Sequence, residues 1–269
     1  MSSSTAGKVV VVTGANEGIG YHLARELLAN GYRVAAFDVA DDGARRLVEA
    51  SPDRARFYAC DVTSDEAVEG AVAAVLDEWG HIDVLVNNAA VLEFAPFTDT
   101  SLESARREME INYFGTLRLV RAVLPGMLER DDGIVHVVGS GVGQTGHAGL
   151  SGYAGSKGAL EAFVRTLRSE LRHTGVAVTL LYPPATRTRS ASVLGYPDVV
   201  TKEPAEVGRK LAAKVETRGP SVYADASIKY GMALTRLVPG LAWRGTARFV
   251  DEAPRMQATD GEAERAPVE

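Results

Sequence analysis

The sequence is poor in thiols: of 269 residues only Cys60 is a cysteine. No intrachain disulfide can form, and a reducing, cytoplasmic location is favoured. Long apolar runs are missing as well. None approaches the roughly 20 residues that span a bilayer, and the opening MSSSTAGK lacks the charged and apolar stretches of a signal peptide. Positive charge is outweighed: 29 Lys and Arg against 35 Asp and Glu give a net charge of −6. A nucleic acid or an anionic membrane as main partner demands a basic face, so neither is expected. The histidines, His22, His81, His136, His147 and His173, are scattered, and no His/Cys/Asp spacing suggests a metal site.

What is present is the material of a large core, with 46% hydrophobic and 24% charged residues. Short β-branched runs at 8–13, 33–38, 55–60, 82–87, 133–140 and 176–182 read as strands, and several are apolar throughout. Such runs fit strands covered on both faces of a parallel sheet. Cys60, closing the third run, reads as a buried strand residue without a catalytic role. Between the runs lie stretches of helical period, among them 18–31 and 64–80. The second opens on the N-cap Ser64 and ends where Gly80 suits a C-cap. Strand–helix alternation implies right-handed crossovers and an α/β fold: one doubly wound, Rossmann-type parallel sheet with helices on both faces. A single domain is expected over 7–250. From Asp251 the chain is polar and nearly free of large apolar residues, so 251–269 reads as a disordered tail.

After the first strand comes Thr13-Gly14-Ala15-Asn16-Glu17-Gly18-Ile19-Gly20, leading into a helix. Glycines let the backbone approach a pyrophosphate, and the helix N-terminus supplies N–H donors. The spacing is G-x-x-x-G-x-G, and its place at the first strand–helix junction favours dinucleotide binding over an ordinary turn. About twenty residues on, Asp38 closes the second strand, where a carboxylate accepts from the ribose hydroxyls and repels a 2′-phosphate. Glu17 adds a second negative charge, and neither position offers an arginine. Together they favour NAD(H) over NADP(H).

Tyr153-Ala154-Gly155-Ser156-Lys157 opens the helical segment 151–173. Residues four apart share a helix face, so phenol and ammonium can point into one cleft, where a cation favours the phenolate. Ser140, at the end of a buried strand, is placed to hydrogen-bond a substrate oxygen. With these residues in hand, the chain resembles the short-chain dehydrogenase/reductase family over roughly 7–225. TGANEGIG matches the cofactor turn, Asp61-Val62 the adenine contact and Asn87-Asn88-Ala89-Ala90 the N-N-A-G element; Asn112, Ser140, Tyr153 and Lys157 fall at the four catalytic positions. The resemblance implies a hydride transfer between NAD(P) and an alcohol or ketone. Tyr153 would exchange the proton, Ser140 would orient the oxygen, Lys157 would hold the nicotinamide ribose and lower the Tyr153 pKa, and Asn112 would position a water. It also implies cofactor contacts from Gly14, Asn16, Glu17, Gly18, Ile19 and Gly20. Further contacts would come from Asn88 and Ala89, with Pro183 and Thr188 beside the nicotinamide.

Two departures stand out. Ala90 replaces a glycine, which is tolerable if its backbone angle is ordinary, and Pro183-Pro184 stands where Pro-Gly is usual, so that loop must take another shape. Y-P-P-x-T-x-T is similar to the 3-ketodihydrosphingosine-reductase-like subgroup, whose NADPH preference conflicts with Asp38 and Glu17. The segment 141–152 should line the substrate cleft, with Phe94, Gln144, His147 and Tyr182 as wall candidates. The rival readings are an NADPH-dependent ketoreductase of a lipid-like or polyketide-like ketone, and a regulator that binds a dinucleotide without catalysis. Segments 102–129 and 151–173 imply, by the same resemblance, a homodimer or homotetramer. Ile228 to Val250 is basic and apolar, split by Pro239-Gly240, and reads as a lid over the cleft in preference to a peripheral membrane element.

Overall fold

The computed structural model describes residues 7–196 and 198–237. The expected tail, 251–269, and the distal part of 228–250 lie outside the described residues. Seven strands, β1 (Val9–Thr13), β2 (Arg33–Asp38), β3 (Ala55–Ala59), β4 (Val84–Asn87), β5 (Gly133–Val138), β6 (Val176–Tyr182) and β7 (Ser221–Tyr223), form one sheet. Every pairing is parallel, in the order β3-β2-β1-β4-β5-β6-β7. The order reverses between β1 and β4, and a crevice opens beyond the carboxyl ends of strands at such a point.

The helices are α1 (Gly18–Ala29), α2 (Asp42–Ala50), α3 (Asp65–Trp79), α4 (Leu102–Met109), α5 (Gly115–Glu129), α6 (Val142–Thr145), α7 (Ser151–Glu170), α8 (Pro204–Ala212) and α9 (Ala226–Leu237). Strand alternation explains the continuous apolar runs: Val9 and Val11 of β1 face one core, Val10 and Val12 the other. On the first face pack Val72 of α3, Leu119 of α5 and Leu160 of α7; on the second, Leu27 of α1, Leu47 of α2 and Leu211 of α8. Both covers are therefore hydrophobic, as the sheet's two apolar faces require.

The six expected strands are present, and β7 is an addition. Three residues, Ser221 to Tyr223, are too few to show a period, and their pairing with Leu180 to Tyr182 makes the strand. Cys60 lies just past β3, yet it is buried and its N–H donates to the Asp38 carbonyl at 3.0 Å. α3 starts and stops as its caps dictate: the Ser64 hydroxyl accepts from Ala67 N at 3.1 Å, and Gly80 turns left-handed at φ 81°. The segment 102–129 is helical but not uniform. A π turn, Glu110–Phe114, joins α4 to α5 and contains Asn112. Of the segment 228–250, the described part belongs to α9, where Ile228 and Met232 pack on the core while Tyr230, Leu234 and Leu237 are exposed. Among the described residues no helix is long and apolar enough to cross a membrane.

Candidate active site

The crevice at the strand reversal is a cleft of about 1720 Å³. That exceeds the 300–1,000 Å³ usual for one small ligand, and it has room for a dinucleotide with a substrate beside it. Its floor is the glycine turn. Gly18 has φ 58°, a left-handed angle that suits glycine. A Cβ on Gly20 would overlap the Gly14 carbonyl oxygen, so α1 lies directly on the turn. The α1 N-terminus carries no side-chain cap, and its first N–H groups are left for a ligand, unlike those of capped α3. This is the cradle that a diphosphate fits. Asn88 stitches it to β4: its amide donates to the carbonyls of Thr13 at 2.9 Å and Gly14 at 3.2 Å. In return Thr13 Oγ1 accepts from the backbone N–H of Asn88 and of Ala89, both at 2.9 Å.

The acidic positions line the same cleft, as do Glu17, Ile19, Val62, Pro183 and Thr188. Asp38 accepts from Asn16 N at 2.9 Å and Ala40 N at 3.2 Å, so its carboxylate braces the glycine turn. Asn16 uses its side-chain oxygen on the start of α2, accepting from Gly43 N at 2.6 Å and Ala44 N at 3.3 Å. Asp61 accepts from the N–H and hydroxyl of Thr63, bonds that hold its carboxyl below the usual range.

Ser140, Tyr153 and Lys157 converge at the carboxyl end of β5 and the first turns of α7, and all three line the cleft. The Ser140 hydroxyl bonds the Tyr153 hydroxyl. Burial pushes the phenol up to about 12; the bond to Ser140 works against that shift, and the Glu108 carboxylate adds to it. The expected lowering of Tyr153 by Lys157 is not what this arrangement produces. The Lys157 ammonium is 5.6 Å from the Tyr153 ring centre and donates to the Val138 carbonyl at 2.8 Å. Burial without an anionic partner brings Lys157 itself down to about 8. Asn112 is wholly buried and does not line the cleft. Its oxygen accepts from Val91 N at 2.8 Å, and its amide donates to Val91 O at 2.9 Å and Ser156 Oγ at 3.0 Å. With both amide protons taken by protein, the side chain acts as a clamp between the strand-end loop and α7. A π turn here sets Asn112 inward, as such turns often do at functional sites.

The four wall candidates do not line the cleft. Tyr182 is buried; its hydroxyl donates to Glu161 Oε1 at 3.0 Å and accepts from Gln144 at 2.9 Å, and its ring stacks on Tyr223. Both Tyr182 and Gln144 are thus turned into the protein, because a buried phenol and amide must find partners. His147 Nε2 accepts from Tyr196 OH at 2.6 Å, and Phe94 packs edge-on to His147 behind it. Among the residues that do line the cleft are Val91, Leu92, Val142, Leu150, Leu194 and Tyr196, with charged groups such as Arg106, Glu110 and Lys202 beside them. Leu150, one helical turn before Tyr153, was within reach of spacing arguments; Leu194 and Tyr196 belong to a loop with no periodic signal. Ala90 is not among the residues with a positive φ, as its methyl group requires. After Pro184 the chain folds back on 201–203, with Lys202 N donating to Ala185 O at 2.8 Å and Arg187 N to Lys202 O at 2.9 Å.

With sheet order and crevice established, the class is that of Rossmann-fold nucleotide-binding oxidoreductases. More closely, the chain belongs to the short chain dehydrogenase family, whose model matches residues 8–195. It is an enzyme of the group that acts on CH–OH groups with an NAD(P) cofactor. It is 34% identical to dehydrogenase/reductase SDR family member 7B of Bos taurus over 260 residues, covering 88% of this chain and 79% of that protein. It is 34% identical to the 3-oxoacyl-(acyl-carrier-protein) reductase FabG of Vibrio cholerae over 177 residues, or 66% of this chain and 72% of the relative. A solved short-chain dehydrogenase from Streptomyces avermitilis superimposes with a TM-score of 0.76 at 30% identity, over 91% of this chain and 98% of that one.

Lys157 offers a test of the site's electrostatics. Its folded pKa of about 8 lies below the ordinary 10.5. Between those values the unfolded chain holds a proton that the folded chain has lost, so this group's contribution to stability rises with pH from about 8 to 10.5. At pH 7 the buried charge is a net cost. Lys157→Met is therefore expected to melt at a higher temperature than the parent at pH 7, with the gap closing above pH 8. Calorimetry across that range checks it, and a less stable variant at pH 7 would show that the bond to Val138 outweighs burial.

Proposed function

We propose that the chain transfers hydride between NAD(H) and a secondary alcohol or ketone, with Tyr153 as general acid and base. One observation carries this reading: Ser140, Tyr153 and Lys157 share a cleft with the glycine turn. A bound nicotinamide ring supplies the hydride chemistry there. Tyr153, held protonated by burial, suits proton donation to a carbonyl oxygen. Ser140, bonded to the same hydroxyl, orients that oxygen, and Lys157 presents a cation that a ribose hydroxyl can take over from Val138. The apolar stretch of wall given by Val91, Leu92, Val142, Leu150 and Leu194 supports a substrate with a hydrophobic flank. Ile228, at the start of the 228–250 segment, also lines the cleft and supports that segment as a lid within a single catalytic domain.

A second reading, an NADPH-dependent ketoreductase of a lipid-like ketone, draws on that apolar wall and on the relative named as a 3-oxoacyl-(acyl-carrier-protein) reductase. Asp38 and Glu17 weigh against it, since a 2′-phosphate beside two carboxylates is opposed by like charge. Comparison of kcat/KM with the two cofactors, on any substrate turned over, is expected to favour NAD(H); a clear preference for NADP(H) promotes the second reading.

Tyr153→Phe removes the one proton-transfer group on the cleft wall that reaches the Ser140 hydroxyl. Loss of general acid–base help costs about 10² to 10⁴ in rate, while dinucleotide binding should persist. Steady-state rates and a binding titration on the variant decide this, and near-normal turnover rules the assignment out. Self-association as a dimer or tetramer through the helical segments 102–129 and 151–173 completes the proposal. Light scattering that reports a monomer at micromolar protein removes it.

A further inference from the structure

The loop after β6 lines both halves of the cleft and is braced at two places. Near its start Arg187 pairs with Asp198 and Glu203, each at 2.9 Å. Farther on, Tyr196 bonds His147 at 2.6 Å. Between the braces stand Thr188 and Arg189. The Thr188 methyl lies against Gly18 of the glycine turn, 3.2 Å from where a Cβ would be. Arg189 lines the cleft with its side chain 89% exposed, and its guanidinium reaches only to 4.0 Å from Glu17.

A diphosphate in this cradle brings two negative charges. The α1 N-terminus offsets roughly half a unit of charge, and the first turn of α1, Gly18-Ile19-Gly20-Tyr21, has no basic residue. The charged side chains nearest the turn are acidic: Glu17, whose backbone precedes α1, and Asp38, bonded to Asn16. Arg189 is a cation that the fold sets beside one of them, 4.0 Å from Glu17. Its present pairing is loose and exposed on both sides, a kind worth little in water. We infer that Arg189 is a diphosphate clamp, exchanging Glu17 for the diphosphate of the bound dinucleotide and drawing the Thr188–Tyr196 loop over the cofactor. Planar guanidinium groups suit phosphate oxygens in a fork, so the exchange replaces one distant contact by charge-assisted hydrogen bonds. Because Leu194 and Tyr196 belong to the same loop, seating the cofactor also sets the substrate wall.

The inference rests on the proposed dinucleotide chemistry, and binding alone tests it. Titrate the full-length protein and Arg189→Ala with NADH by fluorescence, and with ADP-ribose and adenosine by calorimetry. The variant is expected to bind NADH and ADP-ribose about tenfold more weakly, the scale of one charge-assisted contact. Its affinity should also fall less steeply with salt, while adenosine affinity is unchanged and Arg189→Lys recovers part of the loss. Equal ADP-ribose affinity for Arg189→Ala and the parent overturns the clamp and leaves the dinucleotide reading intact. A parent protein that binds neither NADH nor ADP-ribose overturns both.

Discussion

The hydrogen bonds between Thr13, Gly14 and Asn88 hold together the two strands that diverge at the centre of the sheet. β1 leads to helices on one face and β4 to helices on the other, so the ends of these strands would splay without a bridge. Asn88 provides it with a side chain and a backbone N–H, and Thr13 answers with a hydroxyl and a carbonyl. Four polar groups that would otherwise be orphaned at a strand end satisfy one another. The glycine turn, the N-terminus of α1 and the loop that begins at Val91 all take their positions from this junction.

Two further constraints place the chemical groups around it. Asn112 sits in a π turn whose extra residue points its amide at Val91 and Ser156, fixing the loop beyond β4 against α7. Tyr153 and Lys157 start that same helix, Tyr153 half-buried on the cleft and Lys157 buried with no anionic partner. A buried cation held on a backbone carbonyl is unfavourable for folding near neutral pH, whereas the Tyr153 phenol, neutral there, is not. That cost is the ordinary condition of a group kept dry for reaction, and the two large cores carry it.

Much of this was legible in the sequence. The apolar strand runs gave the sheet because both faces are covered, and Ser64 and Gly80 marked the ends of α3 by capping chemistry. The glycine turn and the Tyr153–Lys157 pair were readable because each depends on spacing along one element. β7 escaped notice because three residues carry no period. The substrate wall was misread for a related reason: Tyr182 and Gln144 are close to the cleft in sequence, but strand alternation and a buried carboxylate turn them inward, a matter of tertiary partners. Arg189 stands one residue beyond a threonine that drew attention, and its meaning appears only once its loop is seen against Glu17.

The triad of Gln144, Tyr182 and Glu161 has a consequence for how such an enzyme can change. Its bonds tie α6, which follows Ser140, to the end of β6 and to α7 one turn beyond Lys157. A mutation that reshapes α6 to admit a bulkier molecule therefore also pulls on the helix bearing Tyr153. The stretch from Thr188 to Tyr196 is tied within its own loop and to His147. Change in what the cleft accepts therefore has more room at Leu194 and Tyr196, while the ground beneath Ser140 is held by residues that do not line the cleft.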